Sequence, residues 1–165
     1  MFLNEQVKLA EKVIIACKKR SLRLATAESC TGGLIAGCLT SVSGASEVLQ
    51  FGFVTYSNQA KINMLGVSTG VLSEHGAVSE IVSKSMANGA ISSGNADISV
   101  SVTGIAGPGG GSTEKPVGLV HISVAREHYN TMHERHFFDG DRDAVRSQTI
   151  TAALNLLLKQ IVSQP

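Results

Sequence analysis

Apolar residues recur at steps of three and four over residues 4–20, with Val7, Ala10, Ile14 and Cys17 on one side and Lys8, Glu11, Lys18 and Lys19 on the other. That period predicts an amphipathic helix. The pattern then changes to short apolar runs bounded by small and polar residues. Residues 22–27 predict a strand, and Ser29-Cys30-Thr31-Gly32-Gly33 separates it from a second helical run over 34–39. Residues 48–56, where Phe51 and Phe53 alternate with Gly52 and Val54, predict another strand, and Asn58 starts a brief helix that ends near Gly66. Ser79 is a suitable N-cap for a helix over about 80–92.

Strict alternation follows over 97–103, with Ile98, Val100 and Val102 on one face and Ser99, Ser101 and Thr103 on the other, which predicts a central strand with one polar face. Residues 117–125 and 131–138 predict two more strands joined by a short connection, so at least one pair is antiparallel. A final helix spans about 141–162, with Ile150, Leu154, Leu157 and Ile161 on its buried stripe. Helices interleave with strands early and strands run consecutively later. The expected fold is therefore α/β, a three-layer α/β/α sandwich with a mixed, mostly parallel central sheet, in one domain over 1–165.

Composition narrows the function. With 43% hydrophobic and 16% charged residues the chain is too apolar for a disordered protein. Fourteen Lys and Arg against thirteen Asp and Glu leave a net charge of +1, so no basic field collects nucleic acid or an anionic membrane, and any anion needs a local site. The apolar stretch 13–17 is far below a membrane span or a signal-peptide core. Three cysteines without a CxxC pair, Cys17, Cys30 and Cys38, suggest neither a disulfide framework nor a zinc site and fit a reducing cytoplasm.

Ser29 stands where a strand hands over to a helix, so the backbone N–H groups of about 30–33 are expected to point outward beside it as an anion hole. The residue reads either as a nucleophile or as a plain N-cap. Cys30 is a rival nucleophile at a helix start that favours its thiolate. A cysteine ordinarily uses a histidine base, and His75, His121, His128, His133 and His136 all lie far along the chain as ordinary surface or strand residues. His133 and His136, three apart on a strand, face opposite ways, so no metal site is expected. Lys61, just past a strand end with Tyr56, reads either as a solvated helix residue or, once its pKa is lowered, as the base of a Ser–Lys pair.

The connection 104–116, with glycines at 104, 107, 109, 110 and 111, is long enough to suggest a functional loop. It carries neither a Walker A motif nor a dinucleotide fingerprint. Arg142 and Arg146 sit one turn apart at the start of the last helix, where they either clasp a phosphate or pair with Asp139 and Asp143 on a solvated face.

Taken in order, Glu28-Ser29-Cys30-Thr31-Gly32-Gly33, Thr55-Tyr56-Ser57-Asn58 with Lys61 and Leu65-Gly66-Val67, Gly76-Ala77-Val78-Ser79, and Val102-Thr103-Gly104-Ile105-Ala106-Gly107-Pro108 resemble the CinA C-terminal domain family, over residues 4 to about 160. The resemblance implies an amidohydrolase that converts nicotinamide mononucleotide to nicotinic acid mononucleotide and ammonia in pyridine nucleotide salvage. It implies Ser29 as nucleophile, Lys61 as general base and Tyr56 as a nearby polar supporter. It implies substrate contacts from Cys30, Thr31, Gly32 and Gly33, from Asn58, Thr103, Gly104 and Gly107, and, more weakly, from Arg142 and Arg146. No metal or organic cofactor is expected. The expected partner is a small mononucleotide, without nucleic acid or membrane, and a homo-oligomer stays open. Two other readings keep the same pocket: a nucleotide-binding sensor without chemistry, and an amidase for another nucleotide amide.

Overall fold

The computed structural model describes residues 1–163, so the last two residues of the expected 1–165 span lie outside it. The helices are α1 (Asn4–Lys19), α2 (Leu34–Thr40), α3 (Asn58–Leu65), α4 (Thr69–His75), α5 (Glu80–Gly94) and α6 (Arg142–Val162). The strands are β1 (Leu24–Glu28), β2 (Leu49–Val54), β3 (Ile98–Gly104), β4 (Leu119–Arg126) and β5 (Met132–Phe137). They form one sheet in the order β2-β1-β3-β4-β5. The sheet is mixed, as expected. β1 pairs in parallel with β2 and β3, while β3–β4 and β4–β5 are antiparallel. Four of the five strands therefore run in the same direction and β4 runs against them, because residues 105–118 form a glycine-rich loop without a crossover helix and residues 127–131 a short turn.

Period-2 alternation divides the core between two faces. Ile98, Val100 and Val102 of β3, with Val120, Ile122 and Val124 of β4, pack against α1 and α6. Ala25, Ala27 and Phe53 meet Val82, Met86 and Ala90 of α5 on the opposite face. The polar face predicted for β3 is buried as well. The hydroxyls of Ser99 and Ser101 donate to the carbonyls of Ala87 and Ser83, both at 2.6 Å, so small polar side chains bring α5 close to the sheet while staying satisfied. Sequence periodicity missed α4, which buries only Leu72 and so carries no apolar period, unlike the equally short α2 with Ile35, Cys38 and Leu39 buried.

Close approach also fixes α3. Gly89 of α5 lies directly beneath the backbone carbonyl of Leu65, the last residue of α3, where an added Cβ collides with carbonyl atoms rather than a yielding side chain. Gly89→Ala is therefore expected to destabilise the protein by about 1–3 kcal/mol, despite the better helix propensity of alanine. It also shifts α3, which carries Lys61, so activity falls along with the denaturant midpoint. An unfolding curve at or above wild type excludes the contact as a constraint.

Candidate active site

The parallel strands β1, β2 and β3 end at one edge. From β1 the chain passes to β2 on one side, with α2 on one face, and then returns to β3 on the other side, with α5 on the opposite face. Such a reversal opens a crevice at the carboxyl ends of the strands. Alternation along β1 places Glu28 on the α2 side and turns the next residue, Ser29, to the side of α3 and α5.

Glu28 is completely buried and organises the turn that follows. Its Oε2 accepts from the Thr31 hydroxyl at 2.6 Å, the Gly33 amide at 3.1 Å and the Ile35 amide at 3.0 Å, and its Oε1 accepts from the Ala36 amide at 2.8 Å. A carboxylate thus caps α2 from the preceding strand, where the helix dipole favours negative charge. Gly32 and Gly33, at φ of 63° and 97°, make the turn that allows this capping. The residue was visible in the sequence as an acidic side chain just before a helix start, a signal that points to a cap as much as to chemistry.

The capping also changes the expected anion hole. The Gly33 amide is taken by Glu28, and the Gly32 amide donates to the Ser29 carbonyl at 3.1 Å. Among the described residues, the amides of Cys30 and Thr31 are the two of this turn without a protein acceptor. Thr31, Gly32 and Gly33 shape the turn and do not line the crevice.

A cavity of about 240 Å³ opens in the crevice. Ser29, Cys30, Tyr56, Asn58, Thr103 and Gly104, all expected there, line it with Lys61 and Arg142. Ala77, Val78 and Ala106 complete it; they stand within the ordered motifs of the sequence, but their apolar character gave them no role there. Gly107 contributes its carbonyl oxygen, which accepts from Arg142 at 3.0 Å, and does not line the cavity. None of the five histidines reaches it.

Lys61 is 1% exposed and is not the solvated helix residue that its local sequence allowed. Its Nζ donates to Ser29 Oγ at 3.1 Å and to the Thr55 carbonyl at 2.8 Å. Burial lowers its pKa below that of an ordinary lysine. The neighbouring Cys30 thiol opposes this only as an anion. Burial, with Glu28 nearby, pushes that thiol up to about 12, so it is neutral at physiological pH. The helix start therefore does not give Cys30 the thiolate character expected of it: at 5% exposure, desolvation outweighs the dipole.

Tyr56 stands at the rim, 61% exposed, with its hydroxyl accepting from Arg142 at 3.0 Å. Arg146 does not join Arg142. It donates to the Thr31 carbonyl at 3.2 Å and lies 3.6 Å from Asp143, on the far side of the Gly32 turn and outside the cavity. The two guanidinium groups do not converge into the expected clasp. One turn of helix puts them on one face, but their partners pull them apart.

The family model for the CinA C-terminal domain matches residues 6–161. The nicotinamide-nucleotide amidohydrolase PncC of Escherichia coli K12 is 48% identical over 159 residues, 96% of each chain. A putative competence-damage inducible protein of Caldicellulosiruptor bescii is 52% identical over 155 residues, covering 93% of this chain and 37% of that longer protein. The crystal structure of competence/damage inducible protein CihA from Agrobacterium tumefaciens superposes with a TM-score of 0.94 at 46% identity, covering 96% of this chain and 97% of the other. The order of motifs, the sheet and these matches lead to one assignment: the chain belongs to the CinA C-terminal domain family.

Proposed function

We propose that the protein is a nicotinamide mononucleotide amidohydrolase that works through Ser29 and Lys61, serving pyridine nucleotide salvage. The observation that carries the mechanism is the buried Lys61 Nζ at 3.1 Å from Ser29 Oγ. That is hydrogen-bonding distance for proton transfer, in a site that favours the neutral amine. The choice of substrate is supported by the name of the Escherichia coli relative, which matches this chain over 96% of its length.

Ser29 Oγ attacks the carboxamide carbon while Lys61 takes its proton. The oxygen that becomes negative is met by the unpartnered Cys30 amide, in the manner of an oxyanion hole. Collapse breaks the carbon–nitrogen bond, and Lys61 returns the proton to the leaving nitrogen, which departs as ammonia. Water, deprotonated by Lys61, then cleaves the ester on Ser29 and releases the acid. Arg142 holds Tyr56 over the mouth and, with Asn58 and Thr103, orients the amide and the ring that bears it. Balanced overall, one water is consumed and one ammonia released.

Purified protein is expected to release ammonia from nicotinamide mononucleotide, and mass spectrometry of the quenched reaction is expected to find the acyl group on the peptide containing Ser29. Ser29→Ala should lower kcat/KM on the order of 10⁴-fold, whereas Cys30→Ala should keep most of the activity. Acyl label on Cys30, or an inactive Cys30→Ala beside an active Ser29→Ala, overturns the assignment of the nucleophile. Binding of the nucleotide without any ammonia favours a sensor.

A further inference from the structure

Beside the Ser29 cavity lies a larger one, of about 620 Å³. The half-buried segment Gly76-Ala77-Val78-Ser79 separates them, and Val78 lines both. Their floors are neighbours in the sheet. Thr103, in the first cavity, is paired in register with His121, in the second, and paired residues of antiparallel strands lie about 5 Å apart at Cα. The second floor continues onto β5 with His133 and Arg135, and Lys115 closes the side.

The second cavity gathers two cations that stand outside any ion pair. Among the described residues neither Lys115 nor Arg135 pairs with a carboxylate. Lys115 Nζ donates to the His75 carbonyl at 2.6 Å, which aims the ammonium and leaves two of its three donors free. Of the two carboxylates on the lining, Glu80 is held by Lys84 at 2.6 Å and faces His133 at 3.6 Å, while Glu114 is exposed at the rim. His121 Nδ1 lies 2.9 Å from His133 Nε2. Burial, with His133 beside it, lowers His121 to about 4, so the imidazole pair is neutral and leaves Lys115 and Arg135 as the fixed charges.

The Ser29 cavity lacks such a place. At about 240 Å³ it is smaller than ordinary ligand pockets, Arg142 is engaged with Tyr56 and Gly107, and Arg146 lies outside. A mononucleotide carries its amide and its phosphate at opposite ends, so a substrate with its amide at Ser29 must place the phosphate beyond the first cavity. We infer that the cavity of Lys115, Arg135, His121 and His133 is the subsite for the phosphate-bearing end of the substrate. The inference rests on the mononucleotide amidase reading above and extends it from the reacting bond to the recognition of the nucleotide. Charge-assisted bonds from Lys115 and Arg135 hold the phosphate, and Val78 forms the saddle over which the sugar passes.

The test compares nicotinamide mononucleotide with nicotinamide riboside, which lacks the phosphate, using the full chain. In Lys115→Gln and Arg135→Gln the ratio of kcat/KM between the two substrates is expected to fall about tenfold each, through KM for the nucleotide. Lys8→Gln, an exposed charge on α1, is expected to leave that ratio unchanged. In parallel, inorganic phosphate and ribose 5-phosphate titrated into the wild type should shift the imidazole NMR signals of His121 and His133, and the Lys115→Gln, Arg135→Gln double variant should suppress the shift. An unchanged substrate ratio in an active enzyme overturns the subsite. Should the wild type release no ammonia from the nucleotide, the amidase reading fails, and the phosphate titration decides the subsite alone: shifted signals support it and unmoved signals overturn it.

Discussion

Lys61→Met is expected to lower hydrolysis on the order of 10⁴-fold or more while leaving the protein folded, because the substitution fills the same buried channel without an ionisable group. Lys61→Arg should be equally inactive, since a guanidinium stays protonated and cannot take a proton from Ser29. The double Ser29→Ala, Lys61→Met protein should be little worse than either single variant, because the two side chains act as one unit. Additive losses would leave Lys61 with a binding role only. In the wild type kcat/KM should rise with pH and level off below the 10.5 of an ordinary lysine, as the amine loses its proton.

Stability carries the same signature with a defined sign. Burial lowers the pKa of Lys61 in the folded state, so the folded state binds the proton less tightly than the unfolded chain. The group therefore costs stability as pH falls from 10.5 to its folded pKa, and the cost is constant below that. Relative to the wild type, Lys61→Met should gain stability over that window as pH is lowered. Denaturant midpoints at several pH values measure it. A difference that is flat with pH would show that the lysine is not desolvated.

The second large effect is expected at Glu28, which touches no substrate. Glu28→Ala removes the acceptor for three backbone amides and one hydroxyl in a buried turn and takes away the charge that caps α2. The loss should be on the order of 3–5 kcal/mol, a large part of the stability of a domain this size. Glu28→Gln keeps one acceptor oxygen but turns an NH₂ group toward donors, so it should cost about 1–3 kcal/mol. Both variants loosen the turn that aims Ser29, and activity should drop in the glutamine variant even well below its unfolding temperature. An unfolding midpoint equal to wild type in Glu28→Ala would refute the cap.

Most of the elements were legible because their information is local. The 3.6-residue period of α1 and α6 and the strict alternation of β3 depend only on which side chains follow one another. The seven-residue α4 escaped for the same reason, since with only Leu72 buried it repeats no apolar position. Ser29, Lys61, Tyr56, Asn58, Thr103 and Gly104 were named from ordered motifs, and the structure gathers them in one crevice. The divergence of Arg142 and Arg146 was not legible, because the partners that separate them, Gly107, Tyr56 and Thr31, come from distant parts of the chain.

By itself the sequence determined the α/β class, the order of the elements and the residue types available for acyl chemistry, all of which follow from short-range patterning and chemical identity. Only the tertiary structure decided which state those residues are in. Lys61, which by its local sequence could be a solvated helix residue, is buried against Thr55 and, from a distant part of the chain, Ser29, and that burial lowers its pKa. Cys30, a rival nucleophile by its place at a helix start, is a neutral thiol because burial raises its pKa to about 12. Desolvation depends on what packs from elsewhere in the chain, so no window of neighbouring residues contains it.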